Sequence, residues 1–321
     1  KDILRNQSDQ KGFSLPETVI SQVLEQFLVT NQLPKTYLTW AQSNFSPMVH
    51  TIIENHKREP QKTQIIGING SQGSGKSTLA SYLCAVVADK LNIQTIALSM
   101  DDFYLTKSKR KELAKTKHKL LKIRGVPGTH DTALAISTVE SLLKGEETLI
   151  TRFDKSKDDR FDKSELSTTS GSFGLIVLEG WCFGAKPQSE VEIKKPINDL
   201  ECNADPEGIY RHYVNKCLAE EYQALFAMVD YLVMLKAPSF SCVFKWRLEQ
   251  ENKLRDKIAI ADKDDISASG IMSEIQIKEF IQYFQRITEA CLSEMPSRAD
   301  FLYELSENRD IKSQFSRVRD I

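Results

Sequence analysis

Apolar and polar positions alternate along the chain in blocks. Short uninterrupted apolar runs stand at residues 65–69 (IIGIN), 95–100 (TIALSM), 175–180 (LIVLEG), 231–236 (YLVMLK) and 301–305 (FLYEL). Between them lie longer stretches whose apolar residues recur at helical spacing: from Lys76, after Asp131, after Asp205-Pro206, and as two long helices between 236 and 301. Buried strands alternating with amphipathic helices predict an α/β fold, a mostly parallel five-stranded sheet wrapped on both faces. Such sheets gather ligands at the carboxyl ends of their strands. Ahead of the first strand, Ser14-Leu15-Pro16-Glu17 reads as a capping box, with Val19, Val23 and Phe27 at helical spacing and helix to about residue 55. The polar stretch 56–64 (HKREPQKTQ) reads as a linker, so residues 1–60 are expected to form a helical segment packing on a main domain of residues 61–321. Residues 199–205 read as an acidic surface loop, and no internal repeat or low-complexity tract is evident.

Composition narrows the class. With 40% apolar and 27% charged residues and a net charge of -1, the chain has no global attraction to nucleic acid or anionic membrane. The six cysteines lack any C-x-x-C pair, which suggests reduced thiols rather than zinc ligands or a disulfide framework. No run approaches the roughly 18 apolar residues of a membrane span, and the first residues lack a secretory apolar core. A cytoplasmic protein, monomer or homodimer, is expected.

The chemistry begins at Gly70-Ser71-Gln72-Gly73-Ser74-Gly75-Lys76-Ser77, followed by Thr78, which fits G-x-x-x-x-G-K-[ST] in full. It follows an apolar strand and opens a helix, as a phosphate cradle requires: curled glycine backbone turns N–H groups inward, and the helix terminus adds partial positive charge. Lys76 would reach the β- and γ-phosphates of a bound nucleotide, and Ser77 would place its hydroxyl on Mg²⁺. Asp101 and Asp102 follow the second strand, and Glu179 ends the third, on the same rim of the sheet. Standing alone, the aspartates would read as turn caps; the rim position favours chemistry.

GSQGSGKST, MDDFYLT, RGVPGTHD (124–131), RFDKS (152–156), VLEGW (177–181) and FKWRLEQE (244–251) together resemble the D-glycerate 3-kinases of the plant type and their microbial relatives. These belong with the phosphoribulokinase, uridine kinase and pantothenate kinase branch of phosphate-loop kinases. The likeness spans about residues 63–308. It implies a phosphate-loop kinase fold with a helical lid, ATP and Mg²⁺ as cofactors, and transfer of the γ-phosphoryl group to a small-molecule hydroxyl, D-glycerate first. Pantothenate, a nucleoside or a sugar phosphate are the sibling acceptors. By the same resemblance Asp101 is the catalytic carboxylate, acting with Lys76, and Arg247 and Arg255, two turns apart, sit on the lid helix. Their alternative is helix charge pairing with Glu249 or Glu251. Ser77, Glu179 and Asp101 are the candidate Mg²⁺ residues.

Acceptor recognition needs a cation for a carboxylate and polar partners for hydroxyls. Asp102, Tyr104, Arg124, His130, Arg152, Asp154 and Lys155 form that candidate set, while Asp131 is read as the N-cap of the following helix. One departure from the family pattern is a second RFDKS-like copy, residues 157–165 (KDDRFDKSE), where a more glycine-rich loop is usual. Residues 107–124 are basic, with Glu112 as the single acid, but carry no aromatic for base stacking, so a solvated helix flanking an anion site is expected rather than a nucleic-acid interface. A nucleic-acid-associated ATPase is the rival from another class. A GTPase would need an N-K-x-D reader, and both N-K pairs, at Asn215 and Asn252, lack the Asp. Trp40 and Trp246 suit helix packing, and Trp181 a loop plugging the sheet edge.

Overall fold

The structure, a computed structural model, describes residues 20–261 and 272–317. The Ser14–Glu17 capping box and Val19 lie outside the described residues. Helix α1 (Gln22–Thr30) is capped by Ser21, whose hydroxyl accepts from Leu24 N at 3.3 Å. It is followed by the long α2 (Thr36–Arg58). Strand β1 (Gln64–Gly70), α3 (Lys76–Leu91) and β2 (Gln94–Ser99) come next. A 3₁₀ turn at Met100–Phe103 leads to α4 (Lys107–Thr116) and α5 (Thr132–Leu143). Four two-residue strands follow as two small ladders, β3 (Thr148–Leu149) with β6 (Thr168–Thr169) and β4 (Phe153–Asp154) with β5 (Asp159–Arg160). Then come β7 (Phe173–Gly180), α6 (Glu190–Lys194), α7 (Asp199–Ala204), α8 (Ile209–Cys217) and, past a π turn, α9 (Gln223–Phe226). The chain closes with β8 (Tyr231–Lys236), α10 (Phe240–Ala261), α11 (Glu274–Glu294), β9 (Phe301–Leu305) and β10 (Ile311–Ser316).

The main sheet runs β10-β9-β8-β1-β7-β2. Five strands are parallel, as the sequence predicts, and a sixth, β10, pairs antiparallel with β9 at the edge. Its residues, IKSQFS, are largely exposed, so no continuous apolar run marks it. Period-two alternation splits the central strands between two cores. Ile65, Ile176, Leu178 and Met234 face α5, α8 and α11, while Ile66, Ile68, Val177 and Val233 face α1, α2, α3 and α10. Phe45 of α2 bridges Tyr303 of β9 and Tyr82 of α3 at ring centroid separations of 5.0 and 6.0 Å, which seats the N-terminal helices on the second core. Burial of each such side chain contributes about 1.5–3 kcal/mol.

Residues 199–204 are helical, with Asp205 as the C-cap, rather than a surface loop. Glu201 and Asp205 are buried, and the reason is pairing at long range: Arg286 donates to both Glu201 oxygens at 2.8 and 2.6 Å, and Arg211 meets Asp205 at 3.1 Å. No described helix is long and apolar enough to cross a membrane. All six cysteines are free.

Candidate active site

Strand register builds the site. Glu179 lies level with Ile68 of β1 and Ser99 of β2, so the phosphate loop after Gly70, Glu179 itself and the turn bearing Asp101 and Asp102 leave the sheet on one rim. The loop is wound by Gly73 and Gly75, with φ of 79° and 91°, a region that penalises any Cβ. A Cβ on Gly73 would also stand 2.7 Å from Cβ of Trp246, so α10 closes against the loop. Lys76, Ser77 and Thr78 form the first turn of α3, whose N–H groups lack helical acceptors. Within the loop, Ser71 Oγ, Gln72 Oε1 and Ser74 Oγ are buried without hydrogen-bond partners. A polyphosphate supplies what backbone N–H groups and orphaned hydroxyls lack, so the cradle fits a nucleotide.

Ser77 Oγ donates to Glu179 Oε1 at 2.7 Å, and Lys76 Nζ lies 3.7 Å from Glu179 Oε2, an oxygen with no hydrogen-bond partner. A hydroxyl and an open carboxylate oxygen beside a phosphate site are the donor set of a hydrated Mg²⁺. Among the described residues no group of three His, Cys, Asp or Glu side chains could hold a metal alone. The phosphate oxygens and waters would complete the shell.

Across the rim, Asp101 accepts from Tyr104 OH at 2.6 Å and from Lys155 Nζ at 2.7 Å. Burial alone would raise its carboxyl, but Lys155 and Lys76 with these hydrogen bonds hold it well below the ordinary aspartate value. Lys76 and Asp101 therefore share one electrostatic site. Burial and the facing carboxylate push the Tyr104 phenol up, which keeps it a donor. Asp102 goes the other way: burial raises it against the pull of Arg152, which sits at 2.5 Å, with Phe153 N at 3.3 Å.

Arg152 and Lys155 arrive on the β4–β5 hairpin, and the duplicated RFDKS is what makes it. The first copy sends Arg152 to Asp102; in the second, Arg160 pairs with Asp131 at 3.0 Å and donates to Tyr104 O at 2.8 Å. Asp131 caps α5 as expected, accepting from Leu134 N. Asp154 caps the hairpin turn through Ser156 N, Ser156 Oγ and Lys157 N. Arg124 ion-pairs with Asp158 of the hairpin and stacks 5.5 Å over Phe153. These two hold the hairpin itself, while Asp102, Tyr104, Arg152 and Lys155 gather near Asp101.

His130 is buried and lies 4.8 Å from the Tyr104 ring. Its Nδ1 is 2.6 Å from Tyr222 OH, which also accepts from Gly128 N. The arrangement that satisfies both groups has Tyr222 donate to Nδ1, leaving Nε2–H a donor with no partner. Burial lowers the imidazole to about 4, so the ring is neutral at physiological pH.

Neither lid arginine bonds the phosphate loop. Arg247 pairs with Glu251 at 2.7 Å, the helix pairing weighed as its alternative. Arg255 donates to Asn252 Oδ1 and Met272 O at the surface. In the basic run, the lysines of α4 are exposed as expected, but Arg110 is buried, bonded to Leu105 O, Lys122 O and Asp158 O. It is the hub that holds the hairpin to the Asp101 turn. Arg110, Arg160, Tyr222 and Arg309 were not readable as site residues, because each acts on a partner 5 to 236 positions away. For Arg160 alone a signal existed, the repeated RFD.

No family model matches the chain. The mug58 kinase of Schizosaccharomyces pombe is 33% identical over 254 residues, 75% of this chain and 87% of that protein. The chloroplastic D-glycerate 3-kinase of Arabidopsis thaliana is 32% identical over 253 residues, 74% of this chain and 50% of that protein's length. Among solved structures, the D-glycerate 3-kinase of Cryptococcus neoformans superposes with a TM-score of 0.68 at 22% identity, over 85% of this chain and 98% of that one, which shows the shared fold. The chain belongs to the family of phosphate-loop, ATP-dependent small-molecule kinases that holds the mug58 kinase and plant D-glycerate 3-kinase.

Proposed function

We propose that this chain transfers the γ-phosphoryl group of ATP to a hydroxyl of D-glycerate, giving 3-phosphoglycerate and ADP. The observation that carries the reading is the facing of Lys76 and Asp101 across one rim, with two cations, Arg152 and Lys155, on the acceptor side. Two relatives that each match about three quarters of this chain are kinases, and one is a D-glycerate 3-kinase.

In this reading Gly70 to Thr78 hold the phosphates, and Ser77, Glu179 and Asp101 are the residues that would hold Mg²⁺. When bound, the ion would supply positive charge against the negative charge that develops during transfer. Asp101 orients the attacking hydroxyl and accepts its proton late; a carboxylate this acidic is a poor early base, and phosphoryl transfer asks little deprotonation early. Lys155 is the adjustable partner. Its side chain is 61% exposed while paired to Asp101, so an acceptor carboxylate competes for the same ammonium and frees Asp101 for the hydroxyl. Arg152 offers a second cation, and His130 Nε2–H a neutral donor. Arg247 and Arg255 serve the transferred group only if α10 moves, since Arg247 is held by Glu251 here. We place the activity in the cytoplasm, with α1 and α2 as a helical buttress on a kinase domain that begins near residue 61.

A coupled assay of ADP release across D-glycerate, pantothenate, uridine and ribulose 5-phosphate tests the proposal. The expected result is turnover with D-glycerate that exceeds every other acceptor. Turnover with uridine or pantothenate in its place would transfer the assignment to that sibling. RNA- or DNA-stimulated hydrolysis without any small acceptor would overturn the kinase reading.

A further inference from the structure

The turn between β9 and β10 puts one side chain on both the phosphate loop and the lid helix. Arg309 donates from Nε to Gly73 O at 2.8 Å, pairs through Nη2 with Glu249 of α10 at 2.6 Å, and lies 5.2 Å over the Trp246 ring. Trp246 in turn donates from its indole N–H to Glu307 O at 2.7 Å, and its Cβ is what closes over Gly73. Loop, lid helix and hairpin turn therefore meet at one guanidinium, 236 residues along the chain from the loop it touches.

Two details give this contact a purpose beyond packing. Arg309 has φ of 70°, the left-handed region where glycine or asparagine is favoured, although Asn308 stands next to it in the same turn. The strained backbone aims the guanidinium at the loop. Further, the peptide joining Gly73 to Ser74 is a rigid plane, and it is fixed at both edges: Ser74 N–H bonds Ser71 O at 3.1 Å, and Gly73 C=O accepts from Arg309. Fixing that plane sets the curl that turns the neighbouring N–H groups inward.

We infer that Arg309 is a positioning residue that pre-forms the phosphate loop for nucleotide and ties its shape to the seat of α10. Its guanidinium acts through Gly73 and Glu249. Pre-organisation of this kind is felt as affinity for the ligand the loop holds, not as affinity for the acceptor. The inference rests on the nucleotide reading of the loop and not on the identity of the acceptor.

ATP binding measured by calorimetry without acceptor tests it, on the full chain and on Arg309→Lys and Arg309→Gly. Lysine keeps the charge for Glu249 but cannot fork to Gly73 O at the same time. The Kd for ATP is expected to rise about tenfold in both variants, with the acceptor KM unchanged. Arg309→Gly relieves the left-handed strain, so its melting temperature should match or exceed the parent's while ATP binding weakens, a split that mere fold support would not produce. Lys245→Gln, which removes an exposed pair with Glu307 of the same turn, should leave ATP binding as it was. ATP binding within twofold of the parent in Arg309→Lys and Arg309→Gly would overturn the inference. So would a fall in melting temperature and ATP affinity together with a rise in acceptor KM in both. A parent chain that binds no ATP would instead sink the nucleotide reading together with this one.

Discussion

The two halves of the rim are made of different material. On the nucleotide side a nine-residue motif supplies nearly everything, and its working groups are backbone amides wound by Gly73 and Gly75. On the side proposed for the acceptor the groups are charged side chains drawn from the Asp101 turn, the 124–131 turn and the β4–β5 hairpin, joined by pairs 29 to 54 positions apart. Backbone architecture tolerates many side chains but few changes of φ; side-chain architecture does the reverse. The first therefore suits the ligand that all phosphate-loop kinases share, and the second the ligand that differs among them.

Asp101 stands where the halves meet, and the largest effect should follow from it. Asp101→Asn keeps the shape and removes the proton acceptor, so kcat should fall about 10²- to 10⁴-fold. Calorimetric ATP affinity should stay near the parent value. Full turnover in Asp101→Asn would separate the two halves altogether and remove the carboxylate's role.

Next in size is a charge on the acceptor side alone. Charge-assisted hydrogen bonds contribute about 1.5–3 kcal/mol, so Arg152→Ala should raise the acceptor KM about 10- to 100-fold with the ATP KM unchanged. A rise in the ATP KM instead would show that the hairpin serves the nucleotide, and the division drawn above would fail. The complementary change is Gly73→Ala. A left-handed residue bearing a Cβ costs about 1–2 kcal/mol, and Trp246 leaves the new atom no room. ATP affinity should weaken about tenfold while the acceptor KM holds. Steady-state kinetics with each substrate varied in turn checks both variants.

The same contrast explains what was legible in the sequence. The phosphate loop, the buried strands and the rim places of Asp101 and Glu179 depend on contiguous residues, and pattern finds them. Asp131 as a helix cap belongs with these, since its partner is three positions away. The sixth strand escaped because an exposed edge strand carries no apolar run, and α7 because Glu201 and Asp205 look solvated until Arg286 and Arg211 are brought to them. Arg110 was hidden among lysines that resemble it in sequence and differ from it only in burial. Arg247 shows the converse: its helical spacing was plain, but its partner in this conformation is Glu251 rather than a phosphate.

The smallest effect concerns His130, a neutral donor on the proposed acceptor side beside Tyr104. Burial lowers its pKa from 6.5 to about 4, against a weaker opposing pull from Asp101. The unfolded chain thus takes up a proton near pH 6.5 that the folded chain refuses until about pH 4. Folding stability from this residue is complete above pH 6.5 and is lost progressively as pH falls through that window. Asp101, held below the ordinary carboxylate value, contributes its pH dependence lower still, and Asp102, raised by burial, acts with the opposite sign. The difference between parent and His130→Asn isolates the imidazole. The parent's melting temperature should fall more steeply than the variant's between pH 6.5 and 4, and the two curves should run parallel above it. Parallel curves throughout would mean that His130 takes up its proton alike in the folded and unfolded chain, and burial would then not be what keeps the ring a neutral donor.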